Sequence, residues 1–225
     1  TVKYFNIEVV DSLVIMCASD NNLVKRHTPL VLGNIAQNED CRVTVGNRGG
    51  IEAIFLVLED EDNAIQANAL WALCNLMWYP SNQERAGRFM SEVISFLSAS
   101  WLPIKTHACI LLANLVYYNN NNRVRFLESD GSIEIVINYV RQKEDRSIVE
   151  ANLRTLLSLS YLDQVAMWLG TDGDIIPLLI SLLQVPLVSR DVMRYSLEII
   201  CNLCIHHVNR KKILDNAGIE ALVSL

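Results

Sequence analysis

Leu32-Gly33-Asn34-Ile35, Leu73-Cys74-Asn75-Leu76, Leu112-Ala113-Asn114-Leu115 and Ile200-Cys201-Asn202-Leu203 place an asparagine in the same apolar frame four times along the chain. The steps are 41 residues (34 to 75), 39 (75 to 114) and 88 (114 to 202), and the last is two steps of 44. Midway through that long gap, Leu156-Leu157-Ser158-Leu159 repeats the frame with serine in the asparagine slot. A fixed period of this size predicts stacked helical modules, each in contact only with its neighbours.

A second mark shares the period. Gly50-Ile51-Glu52, Gly131-Ser132-Ile133-Glu134, Gly173-Asp174-Ile175 and Gly218-Ile219-Glu220 each open an apolar helical run. Glycine suits a sharp corner between helices because it adopts positive φ without a Cβ clash. Phe89-Met90-Ser91-Glu92 lacks it, so that corner is expected to differ. Each module then reads as a short helix, a corner, a second helix, a polar turn and a long third helix. In the second module these are 39–47, 51–58, the turn Glu59-Asp60-Glu61-Asp62, and 64–78 ended by Pro80. Five to six modules follow over a single domain, 1–225: about 1–37 (partial), 38–80, 81–119, 120–161, 162–208 and 209–225 (partial).

Composition agrees with an all-α chain. Of 225 residues 51% are hydrophobic, with only 9 Gly and 5 Pro, and no Gly- or Pro-rich linker divides them. Asn119 to Asn122 form a short polar run between modules. The net charge of −6 argues against nucleic acid, which needs a basic stripe. The 6 Cys lie mostly in apolar helical patterns and no Asn-X-Ser/Thr sequon occurs, which fits a reducing cytosolic or nuclear compartment, with the cytoplasm the expected location. The uncharged stretch 64–83 is interrupted by Gln66, Asn68, Asn75, Pro80 and Asn82, so it reads as a core helix rather than a membrane span. The chain begins at Thr1 without methionine and reads as a fragment, so any lipidation at a native terminus falls outside it.

Three helices per module, the Gly-Ile-Glu corner and Ala69-Leu70-Trp71-Ala72-Leu73-Cys74-Asn75-Leu76 resemble the armadillo repeat over nearly the whole chain. The resemblance implies a right-handed α-solenoid whose third helices line a concave groove for a partner protein or extended peptide. By the same resemblance Asn34, Asn75, Asn114 and Asn202 are ladder positions that bond to a peptide backbone, with Ser158 in the fifth slot. Trp71 matches the groove tryptophan that packs on a Lys or Arg stem. A structural bond to a neighbouring helix is the other reading of the asparagines, and core packing that of Trp71.

Importin-alpha-like receptors for basic nuclear-localisation peptides repeat the Trp–Asn pair over consecutive modules. Here the residue four before the ladder slot is Leu30, Trp71, Ile110, Arg154 and Glu198, so the array is missing and Arg154 would repel a basic peptide. That receptor is the alternative function, and a non-enzymatic scaffold is the leading one. Trp78, Tyr117 and Tyr161 fall three residues after the slot, and Tyr79 and Tyr118 follow. Such aromatics are enriched in binding hot spots, though each could equally bury a seam. His27 and His107 share a frame seven before the asparagine and are candidates to border the groove.

No catalytic, cofactor or metal motif appears. Cys201-Asn202-Leu203-Cys204 has no second pair, and Cys74 and Cys201 are expected to be small core residues. Five or six armadillo repeats and little else also resemble the armadillo-repeats-only family of apicomplexan parasites. That resemblance implies a cytosolic-face adaptor that positions the rhoptry organelle. Its implied partners are a myosin motor, an interacting adaptor protein and an adenylate cyclase. It also implies membrane attachment only through a lipidated N-terminal segment, which this chain lacks.

Overall fold

The computed structural model describes residues 7–185, 189–216 and 218–223, and among these every regular element is helical. Residues 1–6 and 224–225 of the predicted terminal modules lie outside the described residues, as do 186–188 and 217. The helices gather into two compact units, Thr1–Ser129 and Asp130–Leu225.

The first unit holds α1 (Ile7–Met16), α2 (Asn22–Ile35), α3 (Glu39–Asn47), α4 (Gly50–Val57), α5 (Asn63–Leu76), α6 (Pro80–Ala86), α7 (Met90–Leu97), α8 (Leu102–Val116) and α9 (Asn120–Leu127). A 3-10 turn, Gly87–Phe89, joins α6 to α7. The second unit holds α10 (Ser132–Gln142), α11 (Arg146–Leu159), α12 (Asp163–Gly170), α13 (Ile176–Leu183), α14 (Arg190–Leu203), α15 (His207–Asp215) and α16 (Gly218–Val223).

Start signals place the long helices. Asn21, Asp62, Asp145 and Ser189 each accept a backbone N–H from the first turn of α2, α5, α11 and α14. Asp62 therefore caps α5, and its neighbour Asp60 bonds Lys25 at 2.7 Å, so the acidic turn is partly structural. Pro80 opens α6 at its first position rather than closing α5, which ends earlier at Leu76. The corners also differ from expectation. Gly131 does take positive φ, but Gly49 carries it in place of Gly50, and Asp174 in place of Gly173. Gly50 instead lies against Val45, where a side chain would collide.

The seams between modules are polar and buried. Asn82, Asn122 and Asn209, on the first helices α6, α9 and α15, are at most 1% exposed. Each donates its amide Nδ2 to a carbonyl of the preceding first helix: Arg42 O at 3.2 Å, Gln83 O at 2.8 Å and Ala166 O at 3.1 Å. One helical turn beyond each acceptor stands a glycine, Gly46, Gly87 or Gly170. A Cβ there would fall inside the asparagine amide. The glycine makes room for the amide, and the amide reaches a carbonyl that a side chain would cover.

Asn82 and Asn122 also cap the third helices before them, whose last carbonyls have no partner in their own helix. Asn82 Nδ2 donates to Leu76 O at 3.0 Å and Asn122 Nδ2 to Leu115 O at 2.9 Å. The residue after each seam asparagine also donates to carbonyls at a third-helix end: Gln83 to Met77 O, Arg123 to Val116 O, and Arg210 to Cys204 O and Ile205 O.

Asn122→Ala is expected to lower stability by about 1–3 kcal/mol, since Leu115 O loses its donor inside the protein. Gly87→Ala, which would favour an ordinary helix, should also destabilise. The double variant should melt no lower than Asn122→Ala alone, because the new methyl fills the space the amide leaves. Additive losses in a double-mutant cycle of thermal melts would refute the coupling.

Candidate functional site

In the first unit the third helices α2, α5 and α8 pack in sequence, α5 between its two neighbours and against α4. Burial then takes almost every side of α5. Ile65, Ala69, Leu70, Ala72, Leu73 and Leu76 have no exposed surface. Gln66 turns back to the carbonyls of Leu58 and Asp60. What remains half-exposed is Ala64, Asn68, Trp71 and Asn75, spaced along one helical face.

The same register on α2 is Leu23, His27, Leu30 and Asn34, and on α8 Pro103, His107, Ile110 and Asn114. The strip these positions form contains no Asp, Glu, Lys or Arg. Trp78, two residues past the end of α5, has 56% of its surface exposed. Tyr117 is half-buried and lies against the exposed Tyr118 with ring centroids 4.2 Å apart.

The ladder asparagines have structural duties here. Asn75 Nδ2 donates to Gly33 O at 3.3 Å, and Asn114 Nδ2 to Cys74 O at 3.0 Å, each on the preceding third helix. Asn114 is only 5% exposed. Asn68 donates to Arg26 O at 2.9 Å, a third bond of the same kind and one the sequence frame did not mark. Asn34 is exposed and accepts a 3.4 Å bond from Gln37. Trp71 lies over Gly33, where a Cβ would stand 2.6 Å from its ring and 2.9 Å from the Ala72 backbone. Its other side stays half-exposed, so it both packs and presents surface.

The second unit offers a different face. On α11, Ser158 is 1% exposed and donates to Arg154 O at 2.9 Å within its own helix, so it presents no surface. Arg154 is half-buried and Tyr161 is 50% exposed. On α14, Asn202 donates to Ser160 Oγ at 2.8 Å. Arg194 pairs with Asp191 and Glu198 at 3.1 and 3.7 Å and lies over the Tyr195 ring. Charge thus replaces the apolar side chains of the first unit. Cys74 is buried as expected, with its thiol donating to His107 O, whereas Cys201 is exposed on α14. Its frame matches Cys74, but here no described helix covers that face.

Among the described residues no cluster of three or more His, Cys, Asp or Glu is arranged to hold a metal ion. No described helix is long and apolar enough to cross a membrane.

No family model matches the sequence. Junction plakoglobin of Xenopus laevis is 24% identical over 180 residues, covering 79% of this chain and 24% of its own length. The chain therefore spans about a quarter of that curated relative. A designed armadillo repeat protein superposes with a TM-score of 0.86 at 15% identity, covering 96% of this chain and 91% of the other. Another, solved in complex with the peptide (KR)4, gives 0.82 at 16% identity with the same coverage. The fold class is the armadillo-repeat α-solenoid.

Burial holds the His107 imidazole below the ordinary value of 6.5, partly offset by a hydrogen bond with the Ala67 backbone. The folded state therefore binds this proton less readily than the unfolded chain does. Its contribution is complete above about pH 6.5 and is lost as pH falls through the depressed folded value. Between pH 7.5 and 5 the wild type should lose more melting temperature than His107→Gln. Parallel curves by circular dichroism would exclude this role.

Proposed function

We propose that this chain, with its armadillo-repeat fold, is a non-enzymatic scaffold that binds a partner polypeptide along the third-helix strip of its first unit. The observation that carries the reading is the uncovered row Asn68–Trp71–Asn75 on an otherwise enclosed α5, with exposed Trp78 two residues past its end. Rigid aromatic surface beside amides suits recognition of an extended peptide or of an apolar helix face. Asn34 is exposed beside the row and Asn75 half-exposed within it, each carrying a donor and an acceptor, while the buried Asn114 holds α8 against α5 at its edge. In the second unit Arg154, Tyr161 and Asn202 belong to the same reading as a more polar contact. Ser158 enters it only as a small residue that leaves room.

A sharper form of this reading makes the chain a cytosolic adaptor on an organelle surface such as the rhoptry. There it would recruit a myosin motor, an interacting adaptor and an adenylate cyclase, with membrane attachment through a lipidated segment outside this chain. It is supported only by the resemblance in repeat content. The second reading, a receptor for basic peptides, is favoured by the net charge of −6 and by the (KR)4 complex of a structural neighbour. The absence of Asp and Glu from the strip and the presence of Arg154 count against it.

Trp78→Ala should leave melting unchanged and weaken partner capture from a native extract at least about 30-fold, the loss typical of an aromatic hot spot of 2 kcal/mol. Thr44→Ala on α3, away from the strip, should change nothing. Unaltered capture by Trp78→Ala would move the site elsewhere. Micromolar binding of (KR)4 peptide, lost in Trp71→Ala, would instead establish the receptor reading.

A further inference from the structure

A cavity of about 390 Å³ opens between α4 and α7 in the first unit, and none of its lining belongs to the third-helix strip. The size falls within the range of small-molecule sites, about 300–1,000 Å³. One wall is aromatic: Phe55 and Phe89 stack with centroids 4.0 Å apart and planes 14° from parallel, and Phe96 lies alongside. Arg88 covers the Phe89 ring at 4.8 Å and pairs with Glu52 Oε1 at 2.6 Å.

The carboxylates decide the chemistry. Glu52 Oε2 has no hydrogen-bond partner among the described residues. The Glu52 side chain keeps 33% of its surface exposed and lines the cavity, so its carboxylate presents charge there. Glu59 and Glu92 also line the cavity, so three carboxylates face one guanidinium already engaged by Glu52. An anionic ligand would meet net negative charge, whereas a protonated amine would supply a charge-assisted donor.

We propose that this cavity binds an amphiphilic organic cation, with an aromatic or aliphatic body against Phe55, Phe89 and Phe96 and an ammonium group held among the carboxylates of Glu52, Glu59 and Glu92. Free amines and the Lys side chain of a peptide share this chemistry. The site is independent of the strip and of the partner-binding reading.

The test titrates isotope-labelled protein with 2-phenylethylammonium, 2-phenylethanol and phenylacetate, following backbone amide shifts. The ammonium should move resonances of residues 52–59 and 88–96 and bind up to about fivefold tighter than the alcohol, the preference one partly exposed ion pair gives. Phenylacetate should not bind. Glu52→Gln should erase the preference while keeping the alcohol's affinity. Should that variant misfold through loss of the Arg88 pair, Glu92→Gln keeps the pair and should still narrow the preference. Acetyl-Phe-Lys-amide binding tighter than the free amine would assign the site to a polypeptide, and weaker binding to a free amine; both retain the proposal. Equal affinity for the ammonium and the alcohol, shifts confined to other residues, or no shift at millimolar amine would overturn it.

Discussion

The fold depends on satisfying buried backbone carbonyls across module boundaries. A long helix that ends inside a stack leaves carbonyl groups that water cannot reach. Here the next module supplies the donors, with an asparagine on its first helix reaching both the preceding first helix and the end of the preceding third helix. That geometry requires a glycine on the facing helix, so three pairs of neighbouring modules are matched by residues 35 to 39 positions apart (46 with 82, 87 with 122, 170 with 209). In the sequence register one module beyond Gly87 and Asn122 stand Leu127 and Val165, so glycine and amide disappear together. Recognition between modules is therefore specific rather than merely apolar.

The same arrangement explains why one face of the third helices stays open. Within the first unit, lateral packing of α2, α5 and α8 and the backing of α4 use up every apolar side of α5. The asparagines lock the helices together from the remaining side. A surface held this rigidly loses little freedom on binding, which favours affinity from a short row of side chains. The strip of the first unit carries no Asp, Glu, Lys or Arg, whereas α14 of the second presents the Arg194–Asp191–Glu198 cluster.

How far the sequence was legible follows from the range of each interaction. The frame around Asn34, Asn75, Asn114 and Asn202 recurs with the module, so period, helix content and fold class could be read directly. Side-chain direction could not. Asn75 and Asn114 reach backward to a helix about forty residues away, and nothing local distinguishes that from reaching outward. The series Asn82, Asn122 and Asn209 was visible as a spacing, but it gains meaning only beside Gly46, Gly87 and Gly170. Pro80 looked like a stop because proline breaks helices, yet its missing N–H costs nothing at a first helical position. The cavity beside Phe55 and Phe89 belongs to two helices from different modules, and no single window contains it.

The four consecutive asparagines at 119–122 look like a compositional tract, but each has its own task. Asn119 caps α9, and both it and Asn121 bond Glu84, while Asn120 accepts from Arg123 and Asn122 closes the seam. Runs of one residue type are prone to gain or lose a codon during DNA replication. A change of one asparagine here would rotate the helix that follows by about 100° relative to its cap. Phe126 would swing off the core, with Arg125 taking its place after a gain and Leu127 after a loss. This homopolymer is thus a site where a length variant harmless in a linker would disrupt the protein.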